Sequence, residues 1–350
     1  MSPDQFRRAN PGLFYLDAAD IDGLETYLGR LGVLGHGERV IAAARAGDGN
    51  MNCTLRATTD RRSVIVKQSR PWVEKYAQFA APWDRACREI EFYQRVGPVP
   101  GIASMMPRLL AADPGGRVLV LEDLGPAGDH SDVYRGGVLS AADLRALADY
   151  LSCLHSAFAT SEPGPSLPNR EMREINHAHI FRIPLEVENG LQLDAVEPGL
   201  HDAAARLRSD PAFVAEVARL GREVYLADGP CLLHGDLFPG SLVRTPGGPR
   251  VIDPEFCFFG RPEIDVGIFL AHLLIAEQAA AHRAHFFHRY QPPVPSDGRL
   301  VLRLAGVEIM RRLIGYAQLP LSPGPGIRSR LLDLARGLVL HPEVHLDLIA

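Results

Sequence analysis

Three acidic residues follow two short apolar runs, an arrangement that suits metal-dependent chemistry. Asp236 comes soon after one run, and Asp253 and Glu255 follow the next, Val251–Ile252. A hairpin through residues 245–249 would bring the three acids together. Clustered carboxylates repel one another unless a divalent cation or a reacting proton compensates their charge. The pattern predicts that Asp253 and Glu255 bind Mg²⁺ and that Asp236 faces an acceptor, although each acid alone would pass for an ordinary turn or loop residue.

One lysine is placed to bind a nucleotide phosphate. Lys67 stands near the end of Ser63–Gln68, a segment rich in β-branched residues that predicts a strand. A strand lysine of this kind neutralises phosphate oxygens of ATP in kinases, and the alternative is a solvated lysine at a strand end. Glu89 and Glu91 lie on the helix predicted next, and spacing does not decide which of them pairs with Lys67.

The elements that must position these groups change in type along the chain. The first third predicts short strands over 63–68 and 118–121, separated by a helix over 84–97. Later, Ser140 with Asp143 three residues on is a capping signal for a helix reaching about residue 158. Further helices are expected over 211–226, 265–281, 300–316 and 328–340. A small strand-rich lobe and a larger helical lobe follow from this pattern, with a ligand site expected where they join.

Composition limits the classes of partner. The chain has 350 residues, 46% of them hydrophobic, with a net charge of −5 and no long basic run, which argues against a nucleic-acid or membrane-surface binder. Its longest apolar run falls well short of the roughly 20 residues of a membrane-spanning helix, and residues 1–10 lack the apolar core of a secretion signal. Five separated cysteines without a C-x-x-C pair indicate free thiols, so we expect a cytoplasmic protein.

The motifs around the three acids resemble those of the methylthioribose kinases, a family within the aminoglycoside phosphotransferase and choline kinase superfamily. They are His-Gly-Asp-Leu-x-x-Gly-Ser at 234–241, Val-Ile-Asp-Pro-Glu-Phe at 251–256, and Phe-Gly at 259–260 before Asp-Val-Gly at 265–267. Segments 49–52, 63–68 and 308–315 carry the same resemblance, which spans about residues 45–320. The chain departs from the family at Phe238-Pro239, where His-Thr is usual, and at Arg261-Pro262-Glu263.

The resemblance implies a fold and a division of the chain. The superfamily has the protein-kinase-like fold, an α+β class in which a small N-terminal lobe with an antiparallel sheet precedes a larger, mainly helical C-terminal lobe. The expected domains are residues 1–123, which would bind the nucleotide, and 124–350, which would carry the catalytic loop, the metal site and the acceptor pocket. The family also suggests a homodimer.

The resemblance further implies roles in catalysis. Asp236 would orient the acceptor hydroxyl and take its proton, and Arg311 and Arg312 would face the sugar and the transferred phosphoryl group. On a helix of unknown context, such an arginine pair would instead be a solvated face. His234 and Asp265 would support the catalytic loop from behind.

Binding residues follow in the same way. ATP would be held by a turn at Gly49 and Asn50, by Lys67, and by the backbone of a connector at Glu122 and Leu124. The turn could also be an ordinary hairpin turn. The expected substrate contacts are Ser241 and Trp83, the latter on a loop over 71–84 that would close over substrate or else simply pack in the small lobe.

The function expected from the resemblance is a kinase that uses ATP and Mg²⁺ to phosphorylate the 1-hydroxyl of 5-methylthioribose or a similar 5-modified ribose. One alternative is a related phosphotransferase acting on 5-deoxyribose, an amino alcohol or an aminoglycoside. Aminoglycosides are polycations that require an acidic pocket, whereas Arg311 and Arg312 favour an electron-rich sugar. A second alternative is a nucleotide-binding pseudokinase scaffold, against which the presence of Lys67, Asp236 and Asp253 argues.

Overall fold

The computed structural model describes the chain except residues 1–2, 48, 50, 161–166, 323 and 325, and residues 3–4 by their backbone alone. The chain forms two compact units, Met1–Gly128 and Asp129–Ala350. The division therefore falls a few residues after the predicted boundary at residue 123.

The first unit is built on a five-stranded antiparallel sheet. Its order is β1-β2-β3-β7-β6, and a separate small hairpin pairs β4 with β5. The strands are β1 Val40–Arg45, β2 Cys53–Thr59, β3 Ser63–Gln68, β4 Trp72–Val73, β5 Tyr76–Ala80, β6 Leu109–Asp113 and β7 Val118–Glu122. The helices are α1 Pro3–Ala9, α2 Ile21–Arg30, α3 Arg85–Val96 and α4 Pro100–Ala103. The two predicted strands and the predicted helix are confirmed as β3, β7 and α3.

Buried and half-buried residues alternate along β2, so one face of this sheet covers a core. Cys53, Leu55 and Ala57 point inward from β2 between half-buried neighbours, and Leu24 and Leu28 of α2 pack in the same cluster. Side chains alternate between the two faces of a strand, and an amphipathic helix has one apolar face, so each element can bury one side. The core therefore lies between α2 and the sheet that carries Lys67.

Arg85, at the start of α3, ties together the backbone around the predicted nucleotide turn. It is 1% exposed, and its guanidinium donates to Asn52 Oδ1 at 2.8 Å and to the carbonyl of Met51 at 2.7 Å. It also donates to the carbonyls of Arg70, Trp72 and Pro82. A planar group with five donors suits such a set of diverging acceptors.

Replacing Arg85 with Leu should therefore lower the free energy of unfolding by about 3 kcal/mol, because several buried carbonyls would lose their donor. Urea denaturation followed by circular dichroism measures the change. Arg88→Leu is the matched control on the same helix, since Arg88 makes a partly exposed ion pair with Glu91; its effect should stay within about 0.5 kcal/mol. Equal losses in both variants would contradict the role given to Arg85.

The second unit is mainly helical. Its helices are α5 Ala141–Ala157, α6 Arg170–His177, α7 Leu193–Val196, α8 Leu200–Arg208, α9 Pro211–Leu220, α10 Glu263–Ile275, α11 Ala280–Phe287, α12 Gly298–Ile314 and α13 Ile327–Leu340. Shorter 3₁₀ turns span Ser131–Arg135, Ile183–Leu185, Pro239–Ser241 and Pro342–Ile349, and π-helical turns span Ala178–Arg182 and Gly221–Tyr225. Its strands are β8 Cys231–Leu233, β9 Leu242–Thr245, β10 Gly248–Val251 and β11 Phe258–Gly260.

The helix predictions for this unit hold with two changes. The capping box of α5 is present, since Ser140 Oγ accepts from Asp143 N and the Asp143 carboxylate accepts from Ser140 N. The predicted helix over 265–281 is wrong in extent, because it is split into α10 and α11. The helix that begins at Pro211 ends in the π-helical turn Gly221–Tyr225.

In the part of the chain that the structure describes, no helix is long and apolar enough to cross a membrane. The five cysteines are free thiols, as predicted: Cys53, Cys87, Cys153, Cys231 and Cys257.

Candidate active site

The first unit places Lys67 against one glutamate of α3. Lys67 Nζ lies 2.7 Å from Glu89 Oε2, and both side chains are almost fully buried. Glu91 instead pairs with Arg88 and Arg95 on the outer face of the same helix. The structure thus decides the partner that spacing left open, because α3 turns Glu89 toward β3. A lysine held extended by a buried carboxylate keeps its charge at a fixed point on the sheet.

The connector after β7 has an open backbone. Leu124 is half-buried, and its N–H and C=O make no hydrogen bond to any residue that the structure describes. The preceding Asp123 is locked by Arg56, whose Nε and Nη2 donate to the carboxylate at 2.7 and 2.9 Å. Glu122 accepts from Arg108 through its side chain and donates its own N–H to the Arg108 carbonyl. The connector is therefore held by Arg56 and Arg108, while the N–H and C=O of Leu124 stay unpaired among the described residues.

The predicted nucleotide turn is only partly described. Asn50 lies outside the described residues, and a Cβ placed on Gly49 would meet no atom within 4 Å. The neighbouring Gly47 has φ +74°, a left-handed backbone that favours glycine. Gly49 and Asn50 therefore remain predicted nucleotide contacts.

In the second unit, Asp265 binds the backbone at the start of residues 234–241, the predicted catalytic loop. Its two carboxylate oxygens accept from the N–H groups of His234 and Gly235 at 2.8 and 2.9 Å. His155, a buried histidine of α5, contacts the same carboxylate at 3.2 Å and Tyr290 Oη at 2.8 Å. Burial raises the pKa of Asp265, but the hydrogen bond and charge of His155 and the Gly235 N–H outweigh it, so the pKa lies below its ordinary value. The ionised carboxylate is thus available to fix the loop.

Among the described residues, hydrogen bonds to the Asp236 side chain reach only one of its two oxygens. Arg311 Nη1 and Arg312 Nη2 both donate to Oδ1, at 3.1 and 2.9 Å. The other oxygen, Oδ2, has no hydrogen-bond donor among the described residues, and the side chain is 14% exposed. The structure thus brings together the three predicted catalytic residues and leaves one carboxylate oxygen open to a ligand.

A second carboxylate completes this cluster. Glu308 accepts from Arg312 Nε at 2.5 Å and from Arg311 Nη1 at 3.1 Å. The charges of Asp236, Glu308 and the two arginines therefore cancel. Nearby positive charge holds the pKa of Glu308 well below its usual range despite burial, and the two carboxylates raise that of Arg311. The arginine pair is thus compensated inside the protein, and is not a solvated helix face.

Phe238, where the sequence departs from the motif it resembles, packs on this cluster. The Arg312 guanidinium carbon lies 4.5 Å from the centre of the Phe238 ring. The same ring lies 5.2 Å from that of His272, centre to centre. A cation over an aromatic face is attracted to it, by about 1 kcal/mol or more when water is excluded. Phe238 therefore helps to keep Arg312 in place.

The loop with the predicted metal ligands is fixed to the catalytic loop. His234 Nε2 donates to the carbonyl of Ile252 at 3.0 Å. A Cβ on Gly235, whose φ is +85°, would come within 2.2 Å of the Phe256 carbonyl oxygen, so only glycine allows this approach. Asn169 Nδ2 donates to the carbonyls of Glu255 and Cys257 at 2.9 and 3.0 Å. His234 thus joins the two loops, which agrees with the supporting role predicted for it.

The strand pairing confirms the predicted hairpin and adds a second pair. The hairpin expected through residues 245–249 is present as β9 paired with β10. The apolar run before His234, however, is β8, which pairs with β11 and not with the strand leading to Asp253. The two loops are therefore brought together by two separate strand pairs and the hydrogen bonds between them.

Asp253 and Glu255 offer carboxylate oxygens, the ligands that Mg²⁺ prefers. Asp253 has φ +67°, an uncommon left-handed conformation that aspartate tolerates better than most residues, and Glu255 is 3% exposed. Within the described ranges, no group of three or more His, Cys, Asp or Glu side chains is arranged to hold a metal ion. A two-carboxylate donor set fits a cation whose other ligands are water and phosphate oxygens.

The two predicted substrate contacts are engaged within the protein. Trp83 Nε1 donates to the Ser69 carbonyl at 3.1 Å, and the indole packs against Phe6 and the Arg117 guanidinium. Ser241 is buried and its hydroxyl donates to the Asp236 carbonyl at 2.9 Å. These contacts give Trp83 a packing role in the first unit and Ser241 a role in shaping the catalytic loop; their contact with substrate remains a prediction.

Sequence reasoning missed the residues that hold the site from behind. No motif assigned a role to Asn169, Glu308, Tyr134, His155 or His272, and in the structure both histidines are buried and hydrogen-bonded. Only Glu308 had a visible signal, since it stands three and four residues before the arginine pair, on the same face of a helix. The side-chain partners of the other residues lie 36 to 138 positions away along the chain.

His272 is a titratable residue of this network, so its protonation depends on pH. Tyr134 Oη lies 2.6 Å from its Nδ1, and Glu308 Oε1 lies 3.3 Å from its Nε2. Burial, together with the Arg312 charge and against the pull of Glu308, lowers the pKa of His272 to about 4. The imidazole is therefore neutral at pH 7, with its proton on Nε2 toward Glu308 and Nδ1 accepting from Tyr134.

Stability should accordingly fall as pH is lowered from 7 to 5. The unfolded chain binds a proton at His272 near pH 6.5, whereas the folded chain does so only near pH 4, so the unfolded state takes up more protons between these values. This one group should cost about 2 kcal/mol between pH 7 and pH 5. In urea titrations, the stability advantage of the wild type over His272→Asn should shrink by that amount. A difference that stays constant with pH would contradict the assignment.

Comparison with protein families identifies the class of protein that this fold and site define. Residues 43–304 match the model of the phosphotransferase enzyme family. Because the match covers most of the chain, the chain belongs to the phosphotransferase enzyme family.

Within that family, the relatives it resembles include methylthioribose kinases. The chain is 31% identical over 281 residues to the methylthioribose kinase of Erwinia tasmaniensis, a match covering 76% of this chain and 68% of that protein. It is 26% identical to that of a Geobacillus species, with 90% of this chain and 89% of the relative covered. For the methylthioribose kinase of Exiguobacterium sibiricum, the identity is 29% over 259 residues, and the chain spans 64% of the length of that relative.

Several solved structures of other proteins have a similar fold. Choline kinase LicA from Streptococcus pneumoniae matches with a TM-score of 0.50 at 16% identity, covering 90% of this chain and 97% of that chain. A spectinomycin phosphotransferase in complex with ADP and spectinomycin matches with a TM-score of 0.52 at 14% identity, covering 92% and 98%. The predicted kinase-like α+β fold class is thereby confirmed.

Proposed function

We propose that this phosphotransferase transfers the γ-phosphoryl group of ATP to the 1-hydroxyl of 5-methylthioribose, or of a ribose similarly modified at C5. The observation that carries the proposal is the geometry of Asp236: one oxygen is held by two arginines and the other is open. An open carboxylate oxygen beside compensated cations is what an alcohol acceptor needs, since it binds the hydroxyl hydrogen and fixes the direction of attack.

In this proposal each group of the chain has a separate task. Oδ2 of Asp236 accepts the hydrogen of the acceptor hydroxyl and takes the proton as the O–P bond forms and the bond to ADP breaks. Arg311 and Arg312 offset charge on the equatorial oxygens of the phosphoryl group in transit. Lys67 binds the α- and β-phosphates, and the open backbone of Leu124 hydrogen-bonds the adenine ring.

The metal belongs to the same proposal. Asp253 and Glu255 would hold Mg²⁺, which when bound supplies neutralising charge to the phosphate oxygens of ATP. Within this chain, His234 fixes the carbonyl of Ile252 and Asn169 fixes that of Glu255, so the loop that carries both carboxylates is held on each side of Asp253.

The electrostatics of the acceptor side support a sugar over a polycation. Asp236 and Glu308 are both paired with Arg311 and Arg312, so this cluster offers no net negative charge. An aminoglycoside, which is a polycation, would need uncompensated acids in that place. A phosphotransferase with another neutral acceptor, such as 5-deoxyribose, is the second candidate, because the same open oxygen would serve it.

The test is ADP release with a panel of acceptors, measured with and without Mg²⁺. The panel holds 5-methylthioribose, 5-deoxyribose, ribose, choline and an aminoglycoside. The proposal predicts the highest kcat/KM for 5-methylthioribose and loss of activity when Mg²⁺ is removed. A higher kcat/KM for the aminoglycoside or choline would contradict it, and absence of ADP release with every acceptor would favour a scaffold.

A further inference from the structure

Glu308 accepts four hydrogen bonds from three side chains. Its two oxygens both accept from Arg311 Nη1 at 3.1 Å, and Oε1 also accepts from Arg312 Nε and from His272 Nε2. The two arginines stand three and four residues after Glu308 on α12, which places all three side chains on one face of the helix. One carboxylate therefore sets the direction of both guanidinium groups.

Glu308 is itself held from a second helix. His272 of α10 donates to it, and the hydroxyl of Tyr134, in the 3₁₀ turn Ser131–Arg135, donates to the other ring nitrogen. All three side chains are buried. Because the imidazole is neutral, this chain of hydrogen bonds has a single direction, from Tyr134 through His272 to Glu308. The carboxylate can then neither rotate nor exchange its partners freely.

A buried ion pair is weak evidence for stability, because desolvation of the charges offsets most of their attraction. An apolar residue at position 308 would fill the space and leave Arg311 and Arg312 to share Asp236 alone. The carboxylate therefore changes where the guanidinium groups point and what charge surrounds Asp236.

Resting on the phosphoryl transfer proposed above, we infer that Glu308 is a positioning residue of the reaction, anchored by His272 and Tyr134. It keeps Arg311 and Arg312 on Oδ1 of Asp236, so that Oδ2 stays open for the acceptor hydroxyl. It also supplies the countercharge that remains when Asp236 is neutralised.

The charge balance of the transfer step gives Glu308 this second task. Before transfer, two carboxylates and two guanidinium groups sum to zero. As the acceptor oxygen attacks phosphorus, its O–H bond breaks and the proton moves to Asp236, the new O–P bond forms, and the P–O bond to ADP breaks. The cluster then carries one net positive charge beside the transferred phosphoryl group. Without Glu308 the cluster would carry a net charge of +1 before transfer. That charge would stabilise the ionised form of Asp236 and make it a poorer proton acceptor.

Glu308→Gln tests this with little change of shape. Glutamine offers one oxygen and turns an amide donor toward Arg311, donor against donor. We expect kcat to fall at least ~10-fold, below the effect of removing the base itself. KM for ATP should stay within about threefold, since no contact to the nucleotide is assigned to Glu308. The acid limb of the pH profile of kcat should move to lower pH, because an anion near Asp236 is lost.

Glu197→Gln is the matched control. Glu197 is also buried in the second unit and accepts from the N–H groups of Arg328 and Ser329 at 3.2 and 3.4 Å, away from the cluster. The same change of charge there should leave kcat within about twofold and the pH profile unmoved. Tyr134→Phe removes only the anchoring hydroxyl, and its effect on kcat should not add to that of Glu308→Gln if both act through one chain.

A crystal structure of Glu308→Gln adds a result that does not depend on turnover. We expect at least one guanidinium group to leave Oδ1 of Asp236; retention of both contacts would overturn the positioning role. Equal kcat for Glu308→Gln and Glu197→Gln, with an unmoved pH profile, would overturn it as well. Inactivity of the wild type on every acceptor would instead defeat the proposed function, and the crystal structure would still decide the placement of the arginines.

Discussion

Replacing Asp236 with Asn should reduce kcat at least ~100-fold, the usual range for a group that acts as general base. Asparagine keeps the shape of the side chain, and its oxygen can still accept from Arg311 and Arg312. Its amide, however, would then occupy the position of the open oxygen and present a donor to the acceptor hydroxyl. The hydroxyl would lose both its orientation and its proton acceptor.

The affinity for ATP should survive this change, because no contact to the nucleotide is assigned to Asp236. Steady-state ADP release gives kcat, and isothermal titration calorimetry with ATP and Mg²⁺ gives the affinity. Asp149→Asn is a suitable control, since Asp149 forms an exposed ion pair with Arg289 in the same unit. Turnover within about tenfold of the wild type in Asp236→Asn would remove the residue from its assigned role.

Replacing Lys67 with Met should lower kcat/KM for ATP by about 100-fold, comparable to the loss of one preorganised electrostatic group in other enzymes. Methionine has a similar length, fills the buried site and removes the charge. The phosphates would then lose a cation that β3 and Glu89 hold at a fixed point. The effect should appear with every acceptor, since it concerns the nucleotide alone.

The two glutamates of α3 form an internal pair of controls for Lys67. Glu89→Gln removes the carboxylate that orients the lysine, and kcat/KM for ATP should fall about tenfold. Glu91→Gln alters only the pairs with Arg88 and Arg95 on the outer face, and activity should stay within about twofold. Equal effects of Glu89→Gln and Glu91→Gln would contradict the pairing that the structure gives.

Sequence patterns were sufficient to predict the elements that depend on interactions between residues close together in the chain. The strand over Ser63–Gln68 was predicted with its observed bounds because β-branched residues favour an extended chain, and the cap at Ser140 because its hydrogen bonds span three residues. The helix predicted over residues 265–281 was too long, because an apolar run alone does not mark the end of α10 at Ile275. The strand partner of β8 was also missed, since antiparallel pairing with β11 depends on contacts between distant segments.

The sequence by itself determined the class of chemistry. The motifs at 234–241 and 251–256, and the strand that carries Lys67, resemble those of known phosphotransferases. Their order along the chain was enough to indicate the superfamily, which the family comparison confirmed.

Only the tertiary structure decided how these residues are held. It pairs Lys67 with Glu89 and not with Glu91, directs both arginines to one oxygen of Asp236, and buries Ser241 with its hydroxyl on the Asp236 carbonyl. It also revealed the chain of hydrogen bonds from Tyr134 through His272 to Glu308. Orientation and burial depend on residues that are distant in sequence, so the spacing of residues along the chain does not predict them. The residue types that the chemistry requires can be identified directly from the sequence.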